Sequence, residues 1–316
     1  MRGYFFSVIG GALAVVLAKA VFIATVDPIG RLGWNHGGIY FALEREQKES
    51  AVKWRGHDAV FFTNSKLSMQ DPAELDAYRW FNFAAGGMRI EEMAGFVEAY
   101  VRDQSACVLG LDVWMMHAGH PPVTEVAHPR PWFAWLPSYL TSWRSFFRTT
   151  GTLQRRWAGV SPVITSGGFL DATLFAERLA RKNIGGDAEW DFWFEQNLMS
   201  NFVYCEKRLT MLKQIRDTLK QRGVKLVVFL HPQHEQALQF LERPEFAAHQ
   251  KRFLKDLRGI FPVVVDLTKE YPDDRFYFTN DRLHYFPWVS TEFLNARVIP
   301  LLEQTSHDAR AMEGGE

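Results

Sequence analysis

"DAVFFTNS", residues 58–65, holds an unbroken apolar run, residues 59–62, that stops at Thr-Asn-Ser. An apolar run with no polar alternation reads as a strand buried on both faces, which is the pattern of a parallel sheet and not of an antiparallel one. Four more runs of the same kind follow: "WFNFA" (80–84), "ACVLGLD" (106–112), "VKLVVFL" (224–230) and "FPVVVDL" (261–267). Between them lie helical patterns. Ile90, Met93, Val97, Tyr100 and Val101 share one face, as do Leu209, Leu212, Ile215 and Leu219 in a helix over 206–222 that Gly223 ends. A last helix over 288–299 carries Val289, Phe293, Leu294 and Val298. Strands alternating with amphipathic helices predict an α/β domain of three layers with about five parallel strands, and such sheets bind ligands beyond the carboxyl ends of their strands.

The chain has 316 residues, 47% of them apolar and 23% charged, the composition of a folded protein. Thirty-six basic residues balance 36 acidic ones, so no net field points to nucleic acid as a partner. Cys107 and Cys205 exclude a disulfide scaffold, and Cys107 falls in a predicted core strand as a free thiol. Residues 4–26, "YFFSVIGGALAVVLAKAVFIATV", are interrupted by one charge, Lys19, whose stem can reach the interface from near the end of the run. A helix of this length crosses a bilayer core of about 30 Å. The apolar run continues past Ala18-Lys19-Ala20, so the segment reads as an uncleaved anchor, with Arg2 on the cytoplasmic side and the rest of the chain outside.

The expected organisation is an anchor over 1–27, a linker and amphipathic helix over 28–56, the α/β domain over 57–304 and a disordered tail over 305–316. Residues 113–205 are too long for a loop and read as an inserted helical cap, rich in aromatics at "PRPWFAWLPSYLTSWRSFF" and "DAEWDFWFEQN". Those aromatics suit either stacking on sugar rings or packing the core of the cap.

Chemistry enters through three groups at one sheet edge. Ser65 follows the first strand, Gly86-Gly87 follows the second, and Asp281 and His284 follow the fifth, in "FTNDRLHYFPW" (278–288). Acyl transfer by serine needs a base, a group that orients the base, and donors for the oxyanion. Positions i and i+3 share one side of a turn, so His284 and Asp281 suit base and orienter. The backbone N–H groups of Ser65 and of Gly86 or Gly87 suit the oxyanion. Taken singly, D-x-x-H is usually a surface or capping pair, a serine after a strand a turn residue, and Gly-Gly a bend. Asn64, Asp112 and His234 are weaker candidates for substrate contacts at the same edge. In "HPQHE" (231–235), His231, His234 and Glu235 lack the order of a zinc site and Pro232 interrupts the helix such a site needs; His117, His120 and His128 also lack ligand spacing. No metal or cofactor is expected.

The order of serine block, glycine block and late D-x-x-H resembles the SGNH/GDSL hydrolase superfamily. "VFFTNSKLS", "FNFAAGGMRIEEM", "VLGLDVW", "VVFLHPQHEQAL" and "FTNDRLHYFPWVS" resemble, more narrowly, membrane-anchored SGNH-like proteins of bacterial polysaccharide systems, relatives of alginate O-acetylation and teichoic acid D-alanylation proteins. The resemblance spans residues 35 to 302 and is weakest in the cap. It implies a flavodoxin-like fold and a Ser65–His284–Asp281 triad that carries an acyl group, acetyl in the O-acetylation systems, to or from an exported polysaccharide. It also implies an inner-membrane location facing the periplasm or exterior, and a membrane-bound acyl donor or polysaccharide synthesis or export proteins as neighbours. Two blocks depart from that family. Thr63-Asn64-Ser65 replaces Gly-x-Ser, and "GLDVW" stands where Gly-x-Asn-Asp carries an oxyanion donor. A scaffold or glycan-binding subunit without catalysis is the alternative these departures imply.

Overall fold

A computed structural model of the chain describes residues 2–33, 35, 38–40, 44–54, 56–102, 104–120, 132–165, 169–180, 187–278 and 281–304. The expected tail over 305–316, His128, and Trp34, His36 and Gly37 of the linker lie outside the described residues. The chain divides into two compact units. One comprises residues 1–55 and 128–168, the other 56–127 and 169–316, so the stretch 113–205 contributes to both.

The second unit holds five strands among its described residues: β1 (Ala59–Phe62), β2 (Trp80–Asn82), β3 (Ala106–Leu111), β4 (Lys225–Leu230) and β5 (Val264–Asp266). All pair in parallel in the order β2-β1-β3-β4-β5, the doubly wound order in which the progression of strands across the sheet reverses between β1 and β3. β3 is the central strand, flanked by β1 and β4, and β1 and β3 are completely buried. Alternation along each strand assigns the faces. Phe61, Val108 and Phe229 point into a core with Tyr285, Val289 and Phe293, the last two on helix α11 (Pro287–Phe293). Phe62 meets Phe83, whose ring lies 4.6 Å from Phe96 of helix α3 (Ile90–Tyr100), and α3 packs on α8 (Glu206–Gln221).

Two expected elements differ at their ends. β5 begins after Pro262, which has no N–H to give a ladder, because Phe261 still caps helix α10 (Pro244–Ile260) through its N–H to Leu257 O at 2.8 Å. As the edge strand it is half-buried instead of fully covered. The last helix runs on from α11 through a π-turn over Leu294–Val298.

Gly110 on β3 marks where the sheet is tightest. A Cβ there would stand 2.6 Å from Phe229 Cζ and 2.8 Å from both His231 Nε2 and Thr63 Oγ1. All three belong to neighbouring strand ends and cannot all withdraw in a close-packed interior.

The first unit is built on helix α1 (Arg2–Val26), whose residues Tyr4–Val26 have a mean hydropathy of 2.3 and are long and apolar enough to cross a membrane. Its last turns pack on helices α4 (Trp132–Thr141) and α5 (Trp143–Trp157), with Ile23, Ile29 and Tyr139 at the centre. Buried Asp27 closes the corner after α1, accepting from Tyr139 OH at 2.8 Å and Leu32 N–H at 2.9 Å.

Replacing Gly110 by alanine is expected to cost about 1–3 kcal/mol through overpacking. A denaturant midpoint unchanged in Gly110→Ala would contradict the packing.

Candidate active site

The serine turn is made at the switch point. After β1, Thr63 is fully buried, and Asn64 caps a single 3-10 turn over Ser65–Leu67 by accepting from Lys66 N–H at 3.0 Å. Ser65 therefore occupies the first helical position, where the backbone N–H has no partner within the turn. It is partly exposed between buried Asn64 and Lys66.

Beneath the turn lies Asp112, directly after β3. Its carboxylate accepts from Asn64 Nδ2 at 2.5 Å, Gln233 Nε2 at 2.7 Å and Lys66 Nζ at 3.2 Å. The Lys66 ammonium also donates to Gln233 Oε1 at 3.0 Å and sits 4.4 Å from the centre of the Trp114 ring. Burial pushes the Asp112 carboxyl up and the Lys66 ammonium down, and each is drawn partly back by the other's charge. The network ties the ends of β1, β3 and β4 into one platform for Ser65.

The loop after β5 supplies the other two groups. An antiparallel bridge between Tyr277 and Tyr285 closes it. Inside, Phe278 N–H donates to His284 O at 3.1 Å and Asp281 N–H to Phe278 O at 3.0 Å. Phe278 and Phe286 rings pack at 4.6 Å. Arg282 takes a left-handed backbone with φ of 45° and donates to Gln236 Oε1, which holds the turn between Asp281 and His284. From the inserted stretch, the Trp190 indole donates to Asp281 O at 3.3 Å.

These placements bring the three residues into line. Ser65 Oγ lies 2.7 Å from His284 Nε2, and His284 Nδ1 lies 2.6 Å from Asp281 Oδ2. An ionised carboxylate only accepts, so Asp281 holds the proton on Nδ1 and leaves Nε2 to accept from the serine hydroxyl. Asp281 is buried and His284 nearly so. Phe175, on helix α6 (Ala172–Ala180), sets its ring edge-on to the imidazole at 5.0 Å. Leu170 N–H to Ser68 O at 2.7 Å ties that segment to the serine turn.

Gly86 and Gly87 form an exposed turn at the same edge. Ladder bonds continue past β1 and β2 as far as Ala85 N–H to Thr63 O at 3.1 Å, so Gly86 leaves the sheet beside the residues that lead into Ser65. Gly87 takes a φ of 62°, which glycine adopts without strain, in a turn closed by Met88 N–H to Ala85 O.

The remaining candidates fall outside this line. Asn64 and Asp112 face each other below the serine. His234 caps helix α9 (Glu235–Leu241), accepting from Gln236 N–H at 3.1 Å, with its other nitrogen 2.7 Å from Asp274 Oδ1. His231 is completely buried between Thr63 Oγ1 and Tyr285 OH. His117 and His120 fasten the start of the inserted stretch to Ser200 O and Leu198 O. Among the described residues no three metal-binding side chains gather. Burial pushes the Cys107 thiol up, away from nucleophilic use. Trp190 and Phe194 stack at 4.8 Å in the interior, so these two aromatics of the insertion pack a core.

Sequence reasoning missed Lys66, Gln233, Phe175 and Trp190. Lysine next to the serine reads as a surface residue, and only the buried Asp112 carboxylate, 46 positions away, accounts for it.

No protein-family model matches the chain, and no curated protein matches it.

Burial, with the charge of Lys66 facing it, holds His231 well below its usual pKa, about 6.5. Below that pH the unfolded chain gains a proton that the native state refuses, so stability falls as pH drops, by at most about 1.4 kcal/mol per unit for this group. The unfolding free energy is expected to decline less steeply from pH 7.5 to 5 in His231→Asn than in the wild type. His117 and His120, also lowered by burial, and Asp112, raised by it, contribute alike to both proteins. Equal slopes would contradict the burial of a neutral His231.

Proposed function

We propose that the chain is a serine esterase or O-acyltransferase that works through an acyl-serine at Ser65. The observation that carries the reading is the unbroken line from Ser65 Oγ through His284 to Asp281, at 2.7 and 2.6 Å. Ser65 Oγ attacks the ester carbonyl while its proton passes to His284 Nε2. Asp281 keeps Nδ1–H in place and balances the imidazolium. Backbone N–H groups of Ser65 and of Gly86 or Gly87 face the oxyanion. The alkoxide leaves with the proton from His284. Water or a second hydroxyl then loses its proton to His284 as it attacks the acyl-serine, giving hydrolysis or transfer respectively.

The substrate class follows from the resemblance to SGNH-like polysaccharide proteins and from the anchor. An acetylated polysaccharide, exported or on the surface of a bacterium, is the substrate that combines the two, with α1 holding the enzyme at the inner membrane and its neighbours there supplying acyl groups or glycan.

One observation favours a second reading, a non-catalytic scaffold. The position after β3, where the family's oxyanion asparagine is expected, holds Asp112, buried and spent on Lys66, Asn64 and Gln233. Retained cellular function of Ser65→Ala would decide for the scaffold.

The full chain in detergent is expected to hydrolyse p-nitrophenyl acetate, with Ser65→Ala and His284→Ala at background. Asp281→Asn should lower kcat at least about a hundredfold with KM little changed, because it disturbs the tautomer and not binding. Full activity in Asp281→Asn would contradict the triad.

A further inference from the structure

Helix α5 is inside out for a protein in water. Its buried residues are Ser145, Thr149 and Thr152, at i, i+4 and i+7 on one face. The opposite face presents Trp143, Phe147 and Trp157, which are 64%, 65% and 93% exposed. A water-facing helix places its aromatics inside and its hydroxyls outside. Helices that pack within a bilayer do the reverse, joining through small and hydroxyl-bearing residues and turning large apolar side chains to lipid. Trp is also the residue that gathers at the membrane–water boundary. The helix carries no acidic residue; of its arginines, Arg155 and Arg156 donate to Tyr40 O and Asn35 Oδ1 of the same unit, and exposed Arg144, next to Trp143, complements anionic headgroups.

The position of α5 along α1 supports the same conclusion. Residues 4–18 of α1 are all exposed, and at about 1.5 Å per residue they reach about 22 Å. That is about 8 Å short of the hydrocarbon thickness. The missing length corresponds to the turns from Lys19 onward, and there α1 meets the start of α5. Lys19 donates to Thr141 O and lies 4.3 Å from the centre of the Trp143 ring, and Phe22 packs on Phe146 at 5.8 Å. The one charge in the apolar run is thus answered by the helix pair at that depth.

We propose that α5 lies in the membrane interface, with Trp143, Phe147 and Trp157 at the boundary between acyl chains and headgroups of the leaflet from which the carboxyl end of α1 emerges. The proposal rests on α1 spanning the membrane. It gives the first unit two points of lipid contact, the span and a helix lying across its end. A bilayer with anionic headgroups is the occupant of the aromatic face.

The test uses the full chain with Cys205→Ser, leaving only buried Cys107, and single cysteines at Phe147→Cys, Leu13→Cys or exposed Asp217→Cys carrying an environment-sensitive fluorophore. Each protein is reconstituted in phosphatidylcholine–phosphatidylglycerol vesicles. Nitroxide lipids labelled near the headgroup or deep in the chain quench from the membrane, and iodide quenches from water. The label at 147 should be quenched by the shallow nitroxide at least about twofold more than by the deep one, as expected for burial about 5–10 Å into the interface, and protected from iodide relative to 217. Trp157→Cys should behave alike and covers a folding failure at 147. Iodide quenching at 147 and 157 equal to that at 217 would overturn the proposal in favour of a solvated helix. Protection from both quenchers would overturn it in favour of a protein partner or second copy. Quenching of the label at 13 by the deep nitroxide separates these failures from failure of the span, because without it α1 does not cross and the proposal falls with it.

Discussion

The Asp112 carboxylate, buried at the carboxyl end of β3, is the constraint on which the serine's position depends. An anion removed from water must be surrounded by donors, and here they come from Asn64 and Lys66, after β1, and from Gln233, after β4, while Asp112 itself follows β3. The register of β1, β3 and β4 is therefore locked at the edge that carries Ser65. Breaking one donor would leave buried charge and also release the turn that aims Ser65. Stability and positioning are the same interaction at this point.

On the far side of the site the constraint is different. Asp281 and His284 stand in a loop, and loops carry fewer backbone bonds to hold a geometry. This one is closed by the Tyr277–Tyr285 bridge, by paired phenylalanines at 278 and 286, and by Trp190 from the inserted stretch on the Asp281 carbonyl. His231 links the two halves. One ring nitrogen faces Thr63, two residues before the serine, and the other faces Tyr285, next to His284. A neutral imidazole between two hydroxyls serves that role whichever nitrogen carries the proton, since each hydroxyl can give or accept.

The strands were legible because burial on both faces leaves continuous apolar runs, and all five fall where those runs lie. The meeting of Ser65, Asp281 and His284 was legible because strand ends of a parallel sheet share one edge, which turns order along the chain into proximity. Lys66 and Gln233 were not, because a buried polar residue has no local signature and its reason lies in a partner far along the chain. The insertion was the least legible. Its aromatics divide between a packed core, at Trp190 and Phe194, and an exposed face, at Trp143, Phe147 and Trp157, and composition alone reads both as apolar. Only the hydroxyl face of α5, seen as buried, tells the second group from the first.

The most direct test of an activated serine at Ser65 is fluorophosphonate labelling of the full chain, with mass mapping of the modified residue. A single adduct on Ser65, absent in Ser65→Ala and His284→Ala proteins that fold as the wild type does, is the expected result. Labelling that persists in His284→Ala at the wild-type rate, or that maps to another residue, would contradict it.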